Sequence, residues 1–129
     1  MNDERAEDGK IRVFTDLEVW QKGHKLVINL YGLVKKFPRE EKYTLVSQTI
    51  RAAGSITANI AEGFSRYYFK DKARFYYNSR GSLSELQNHL IVAKDLQYIS
   101  REEFQDLYRF TNEIRRLLNG LIRATQKRK

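Results

Sequence analysis

Helical periodicity runs through most of this chain, and Pro38 is the only proline among its 129 residues. In four segments the apolar residues recur three and four positions apart, which places them on one face of a helix. A protein of four or more strands joined by tight turns usually needs more turn residues than this. The sequence therefore predicts an all-α protein, an antiparallel up-down-up-down four-helix bundle, because short connections make consecutive helices run in opposite directions.

The helix limits and the core residues are predicted from capping signals and from the apolar stripes. Thr15 with Glu18, and Ser100 with Glu103, form capping boxes that begin the first and the fourth helix, and Pro38 ends the first. The expected core residues are, helix by helix, Trp20, Val27, Leu30, Tyr31, Leu33 and Val34; Val46, Ile50, Ala53, Ile56, Ile60 and Phe64; Tyr76, Ser79, Leu83, Leu86, Leu90, Ala93 and Gln97; and Phe104, Leu107, Thr111, Ile114, Leu118 and Leu121.

The length and composition are those of one globular domain, with 41% hydrophobic and 31% charged residues. The bundle is expected to span residues 14–125, between a flexible N-terminal segment, 1–13, and a basic C-terminal tail, 126–129. The first eight residues hold four acids and no apolar run, unlike a targeting signal. No apolar stretch approaches the ~18 residues that cross a bilayer. We therefore expect a cytoplasmic protein without a membrane partner.

Residues suited to catalysis or metal binding are few. The chain has no cysteine and two histidines, His24 and His89. Glu85 and His89 are four positions apart, whereas a carboxylate-bridged di-metal bundle uses Glu-x-x-His on two helices. Gly54 and Gly63 lie within a helical pattern, so they do not form a phosphate-binding loop after a strand. We expect no enzymatic activity, no metal site and no cofactor.

A basic and aromatic segment lies between Phe64 and Arg80, with five cations, one acid and seven aromatic rings. The formal net charge is +8, and a second basic cluster ends the chain. Cationic side chains neutralise phosphates and aromatic faces stack on unpaired bases, so we predict nucleic-acid binding. Two alternatives stay open: the rings plug the end of the bundle, and the charge serves solubility. The candidate nucleic-acid-binding residues are Arg66, Tyr67, Tyr68, Lys70, Lys72, Arg74, Arg123, Lys127, Arg128 and Lys129.

The second helix has an unusual outer face, because small and amide side chains replace the long charged ones of an ordinary solvated face. One interpretation is that the helix packs tightly inside its own bundle. The other, which we favour, is that this face contacts another subunit in a closed ring. The candidate interface residues are Gln48, Arg51, Ala52, Ser55, Asn59 and Glu62.

Several motifs resemble a known bacterial four-helix bundle family, whose members are often labelled 23S rRNA intervening-sequence proteins. The similarity covers roughly residues 14–121, and the run Asn59-Ile60-Ala61-Glu62-Gly63 is its most specific part. The other matching residues are Leu17–Lys22, Phe37-Pro38, Gln48, Arg51-Ala52-Ala53, Ser55-Ile56, Arg66 and Gly81-Ser82-Leu83-Ser84-Glu85-Leu86.

The resemblance implies a homopentamer without catalytic activity or a cofactor. Some relatives are accessory variability determinants of diversity-generating retroelements, which are basic pentameric barrels that bind nucleic acid and a reverse transcriptase. Two functions are therefore expected from the sequence. The first is a pentameric protein that binds structured RNA or DNA, as an accessory subunit of a reverse transcriptase. The alternative is a protein-interaction scaffold without nucleic-acid binding.

Overall fold

The computed structural model describes residues 9–128, and within that range the chain is helical and contains no β-strand. Four long helices form most of it: α1 (Glu18–Leu33), α2 (Ser47–Ser65), α3 (Phe69–Asp95) and α4 (Arg101–Gln126). The predicted all-α class is confirmed. The flexibility predicted for the N-terminal segment concerns mainly residues 1–8, which lie outside the described residues, as does Lys129.

One hydrophobic core is shared by all four helices. α2 and α3 have the most extensive contact, α3 also packs on α4, and α1 packs on both α2 and α4. Complete burial of a Leu or Ile side chain stabilises a fold by about 1.5–3 kcal/mol, so this cluster is the main source of stability. Thirteen predicted core residues are at most 1% exposed: Leu30, Ala53, Ile56, Ile60, Tyr76, Ser79, Leu83, Leu86, Leu90, Ala93, Thr111, Ile114 and Leu118.

The buried face of α1 is rotated by about one residue from the predicted stripe. Val19, Gly23, Leu26 and Leu30 are buried, whereas Tyr31 is 55% exposed, so its assignment to the core was wrong. Gly23 lies on this buried face, and an added Cβ there would lie 2.9 Å from Cγ2 of Thr57. A glycine contributes nothing to an apolar stripe, yet here the absence of a side chain leaves room for Thr57 of α2 against α1.

The two predicted capping boxes have different outcomes. At α4, Ser100 Oγ accepts a hydrogen bond from the Glu103 N–H at 3.0 Å and Glu103 Oε1 accepts one from the Ser100 N–H at 2.9 Å, as predicted. The box at Thr15 was wrong, because α1 begins after Leu17, which has no side-chain cap. Asp16 instead accepts from the backbone N–H of Arg12 at 2.9 Å. Its carboxylate therefore fixes a short 3₁₀ turn ahead of α1, Phe14–Asp16.

The link between α1 and α2 closes the end of the molecule that we call the far end. Phe37 leaves the helical conformation before Pro38, as predicted, and packs in a second cluster with Leu45, Ala93 and Ile99. A π-helical turn, Lys42–Val46, then leads into α2. The assignment of Gln97 to the core was wrong. This residue lies beyond α3 with a φ of 64°, in the turn that redirects the chain toward α4.

A candidate nucleic-acid-binding surface

The opposite end of the molecule, which we call the basic end, gathers the cations of the α2–α3 turn and of the last turns of α4. Only Arg66, Tyr67 and Tyr68 separate α2 from α3. Contacts between α3 and α4 bring the two basic segments together: the Arg128 guanidinium lies 5.4 Å from the centre of the Phe69 ring. The Gln126 amide also donates to the Tyr77 hydroxyl. The exposed cations of the basic end are Arg66, Lys70, Arg74, Arg123, Lys127 and Arg128.

Lys72 differs from these cations because its ammonium is used inside the protein. Its Nζ donates a 2.6 Å hydrogen bond to the backbone carbonyl of Phe64 and lies 5.1 Å from the centre of that ring. The bond satisfies a carbonyl in the last turn of α2, where a positive charge is also favourable. Burial lowers the pKa of Lys72 below its ordinary value. Lys72 therefore ties α3 to α2, in contrast to the other predicted nucleic-acid-binding cations at this end.

Two guanidinium groups share one aromatic ring at the basic end. Arg66 and Arg74 lie 4.6 and 4.7 Å from the centre of Phe75. Such cation–π contacts are worth about 0.5–1 kcal/mol at exposed sites, and they hold both charges in place. Arg66 is partly neutralised by Glu62, whose Oε2 lies 2.6 Å from Nη2. Within residues 9–128 Arg74 makes no ion pair, so its charge stays available to an anion.

The tyrosines of the α2–α3 turn lie outside the core. Tyr67 is 85% exposed and Tyr68 is 66% exposed, with their rings edge to face at 4.9 Å. Because both rings are exposed, they do not plug the end of the bundle, which was one of the alternatives. Tyr76, at 1% exposed, is the ring that fills that part of the core. Two exposed tyrosines beside the cations provide flat apolar faces of the kind on which bases stack.

A cavity of about 860 Å³ opens at the basic end between the first turns of α3 and the last turn of α4. Of the predicted binding residues, Tyr68, Lys70 and Arg74 line it. Sequence reasoning did not assign the other lining residues as binding residues, although Asn78 follows Lys70 and Arg74 at helical spacing. They are Phe69, Asp71, Ala73, Tyr77, Asn78, Thr125 and Gln126.

The small residues on α2 serve its own bundle. Ala52 is 2% exposed in the shared core, so it is corrected from an interface residue to a core residue. Ser55 Oγ lies 2.8 Å from Ser82 Oγ on α3, and the Asn59 amide donates to the Ser55 carbonyl at 2.8 Å. These bonds match the interpretation of tight packing within one subunit. The remaining predicted interface residues are exposed: Gln48, Arg51 and Glu62.

The part of the chain that the structure describes shows no cluster of three or more side chains suited to hold a metal ion. Glu85 and His89, whose spacing differs from the Glu-x-x-His motif, contact each other on α3 through Oε2 and Nε2 at 3.2 Å. None of the described helices is both long enough and apolar enough to cross a membrane.

Comparisons with known proteins give a family match and a similar solved structure. Residues 15–120 match the profile of the family described as 23S rRNA-intervening sequence protein. The structure is similar to a crystal structure from Bacteroides thetaiotaomicron VPI-5482, described as a protein with unknown function from the S23 ribosomal protein family. The TM-score is 0.76 at 24% identity, over 81% of this chain and 95% of that chain, which supports the fold alone. No curated protein matches the chain.

Proposed function

We propose that this chain, which belongs to the 23S rRNA-intervening sequence protein family, is a non-enzymatic protein that binds structured RNA or DNA through its basic end. The observation that carries the proposal is the cluster of exposed cations around exposed tyrosine rings. Lys70 and Arg74 have no ion-pair partner within residues 9–128, and a phosphate would supply one. The family description names an rRNA context, which favours RNA as the ligand.

An acidic protein is the alternative ligand for such a surface, and the scaffold function would use it. The aromatic residues favour nucleic acid, because Tyr67 and Tyr68 present open ring faces that carboxylates do not need. Aromatic stacking on a base is worth about 1–3 kcal/mol and is available in single-stranded segments of a folded RNA. Sequence preference should be slight, since phosphate contacts position a ligand without reading its bases.

The helices are proposed to run up-down-up-down. Along the α2–α3 contact Gly63 meets Tyr76 and Ser55 meets Ser82, so partner numbers rise on α3 as they fall on α2. Assembly into a ring, with five subunits by the family resemblance, would place several basic ends on one particle. Each subunit would then add its own phosphate contacts to a shared ligand.

A partnership with the reverse transcriptase of a diversity-generating retroelement belongs to the same proposal and rests on the resemblance and on the net charge of +8. Gene neighbourhood tests it. An adjacent reverse transcriptase with template and variable repeats would support that role. A position inside an rRNA gene without such neighbours would remove it and leave nucleic-acid binding in place.

The decisive experiment compares two charge reversals of equal size. Lys70→Glu with Arg74→Glu changes the basic end, and Lys35→Glu with Lys42→Glu changes exposed lysines on the link at the far end. Fluorescence anisotropy with a labelled RNA hairpin, at several salt concentrations, should show weaker binding and a flatter salt dependence for the first variant. Each lost phosphate contact should reduce the log–log slope by about 0.7 to 0.9. Equal losses in both variants would remove the basic end as the site, and absence of wild-type binding at low salt would favour the scaffold.

A further inference from the structure

We propose that the cavity between α3 and α4 receives one unpaired base of a bound strand, with the adjoining phosphate held by Lys70 and Arg74. The inference rests on the proposed function and adds a defined subsite to it. Cavities of about 300–1,000 Å³ are typical of sites for small organic groups, and this one measures about 860 Å³. It can therefore enclose a base with part of its sugar.

The ring side of the cavity is suited to the flat faces of a base. Three rings line it: Tyr68 from the turn before α3, and Phe69 and Tyr77 from α3. Arg128 covers Phe69 from the α4 side, which makes that ring part of a charged and aromatic wall. Binding is favourable when a flat aromatic group displaces water from apolar rings that line an open cavity.

The cationic side of the cavity explains where the phosphate would lie. Lys70 and Arg74 are four positions apart on α3, so their like charges are neighbours on the helix surface and repel each other. Neither makes an ion pair within residues 9–128. An anion between them removes this repulsion. An acidic peptide would also do so, but it would leave the neighbouring rings unfilled.

The polar residues of the lining orient the base within the cavity. Asp71 is the only acid among the lining residues, and its carboxylate repels a phosphate but accepts hydrogen bonds from a base edge. Gln126 donates through Nε2 to Tyr77, which leaves its carbonyl oxygen as a second acceptor. Two acceptors suit guanine, which presents adjacent N1–H and N2–H donors on its pairing edge. The base edge therefore lies toward Asp71 and the phosphate toward Lys70.

The test uses two labelled RNA hairpins that differ only by one bulged guanosine, titrated against the full chain by fluorescence anisotropy. Wild type should bind the bulged hairpin roughly 10-fold more tightly, since stacking and hydrogen bonds to one base are worth about that much. Asn78→Trp fills the cavity from an exposed position, and Tyr68→Ala removes an exposed ring. Both should abolish the advantage of the bulge. Asn78→Trp should leave affinity for the plain hairpin unchanged, whereas Tyr68→Ala should also weaken that affinity, because the proposed function already uses this ring. Circular dichroism should verify that both variants remain folded.

Other outcomes separate this inference from the proposed function. Equal wild-type affinity for both hairpins overturns the base subsite and leaves phosphate binding intact, whereas binding to neither hairpin overturns both. Asp71→Asn should remove a preference for bulged guanosine over bulged uridine, and a wild type without that preference contradicts the assigned orientation. Competition by guanosine monophosphate at the concentration that the bulged hairpin needs would identify a free-nucleotide site and overturn the assignment to a strand.

Discussion

The backbone of Gly63 on α2 lies directly against the ring of Tyr76 on α3. A Cβ atom at position 63 would lie 2.7 Å from Cε1 of that ring and 3.0 Å from Cβ of Phe75. The run Asn59–Gly63, the most specific part of the family resemblance, is therefore a packing motif at the α2–α3 contact. Its packing helps to position the turn between α2 and α3 at the basic end.

Gly63→Ala should destabilise the protein by about 1–3 kcal/mol, because the extra methyl group overpacks the contact with Tyr76. Chemical denaturation followed by circular dichroism measures this change. Gly54→Ala is the matched control: it is the same substitution in the same helix, and nothing lies within 4 Å of an added Cβ. The control should be neutral or stabilising by up to ~1 kcal/mol through helix propensity. Similar losses in both variants would contradict the packing argument.

Thr49→Val should stabilise the protein by about 1 kcal/mol or more, because Thr49 Oγ1 is a buried hydroxyl without a hydrogen-bond partner among the described residues. Thr111→Val is the contrasting variant at an equally buried position. There the hydroxyl donates to the Tyr108 carbonyl at 2.6 Å and accepts from Gln87 at 2.9 Å, so its loss should destabilise. Urea denaturation curves decide the signs, and a destabilised Thr49→Val protein would show that the hydroxyl has a partner in solution.

Stability should fall between pH 10 and pH 12 through Tyr76, whose pKa burial raises from 10.0 to about 12. In this interval the unfolded chain loses the phenolic proton first, so the contribution of the group is complete below pH 10 and is lost as the pH rises to about 12. The loss amounts to about 2–3 kcal/mol. Tyr76→Phe should flatten this part of the curve of unfolding free energy against pH. Tyr43→Phe, at an 82% exposed position, should leave it unchanged.

Assembly should depend on the exposed part of the outer face of α2. Light scattering of the wild type is expected to give several times 15.3 kDa. Arg51→Glu should lower that mass without changing the helical content, because the residue is exposed and outside the core. Lys35→Glu is the control, with the same charge change away from this face. A wild-type monomer at micromolar concentration would contradict the ring, and Ala52→Arg is uninformative because it would disrupt the core.

Most of the fold follows from periodicity, because Leu83, Leu86 and Leu90 can be buried together only on one face of a helix. The errors in the predicted buried face and beginning of α1 lie where a residue without an apolar side chain makes the important contact. Gly23 packs against Thr57 on the buried face of α1, and Asp16, rather than Thr15, accepts a backbone hydrogen bond in the turn before that helix. Neither effect is visible in a hydropathy pattern, since each depends on a partner that is supplied by the folded chain.

The sequence predicted which residue types the candidate site contains, but it did not predict their contacts or the cavity. The count of cations and rings identifies Lys70 and Arg74. It does not reveal that the Lys72 ammonium donates a hydrogen bond to the Phe64 carbonyl. The cavity needs Gln126 and Thr125, which are far away in the sequence and carry no charge. Burial and long-range proximity decide the roles of these residues, and a single sequence encodes them only through the packing of α3 on α4.

The position of the cavity has a consequence for protein synthesis. Contacts between helices that are adjacent in the sequence form early and fast, so α2 and α3 can pair while the chain is still attached to the ribosome. The contact of Arg66 and Arg74 with the Phe75 ring, which belongs to the proposed phosphate-binding surface, is then already present on the nascent chain. The cavity is completed only after Gln126 has been added and has left the exit tunnel. Under the proposed function, a growing chain would thus attract RNA before it can select for an unpaired base.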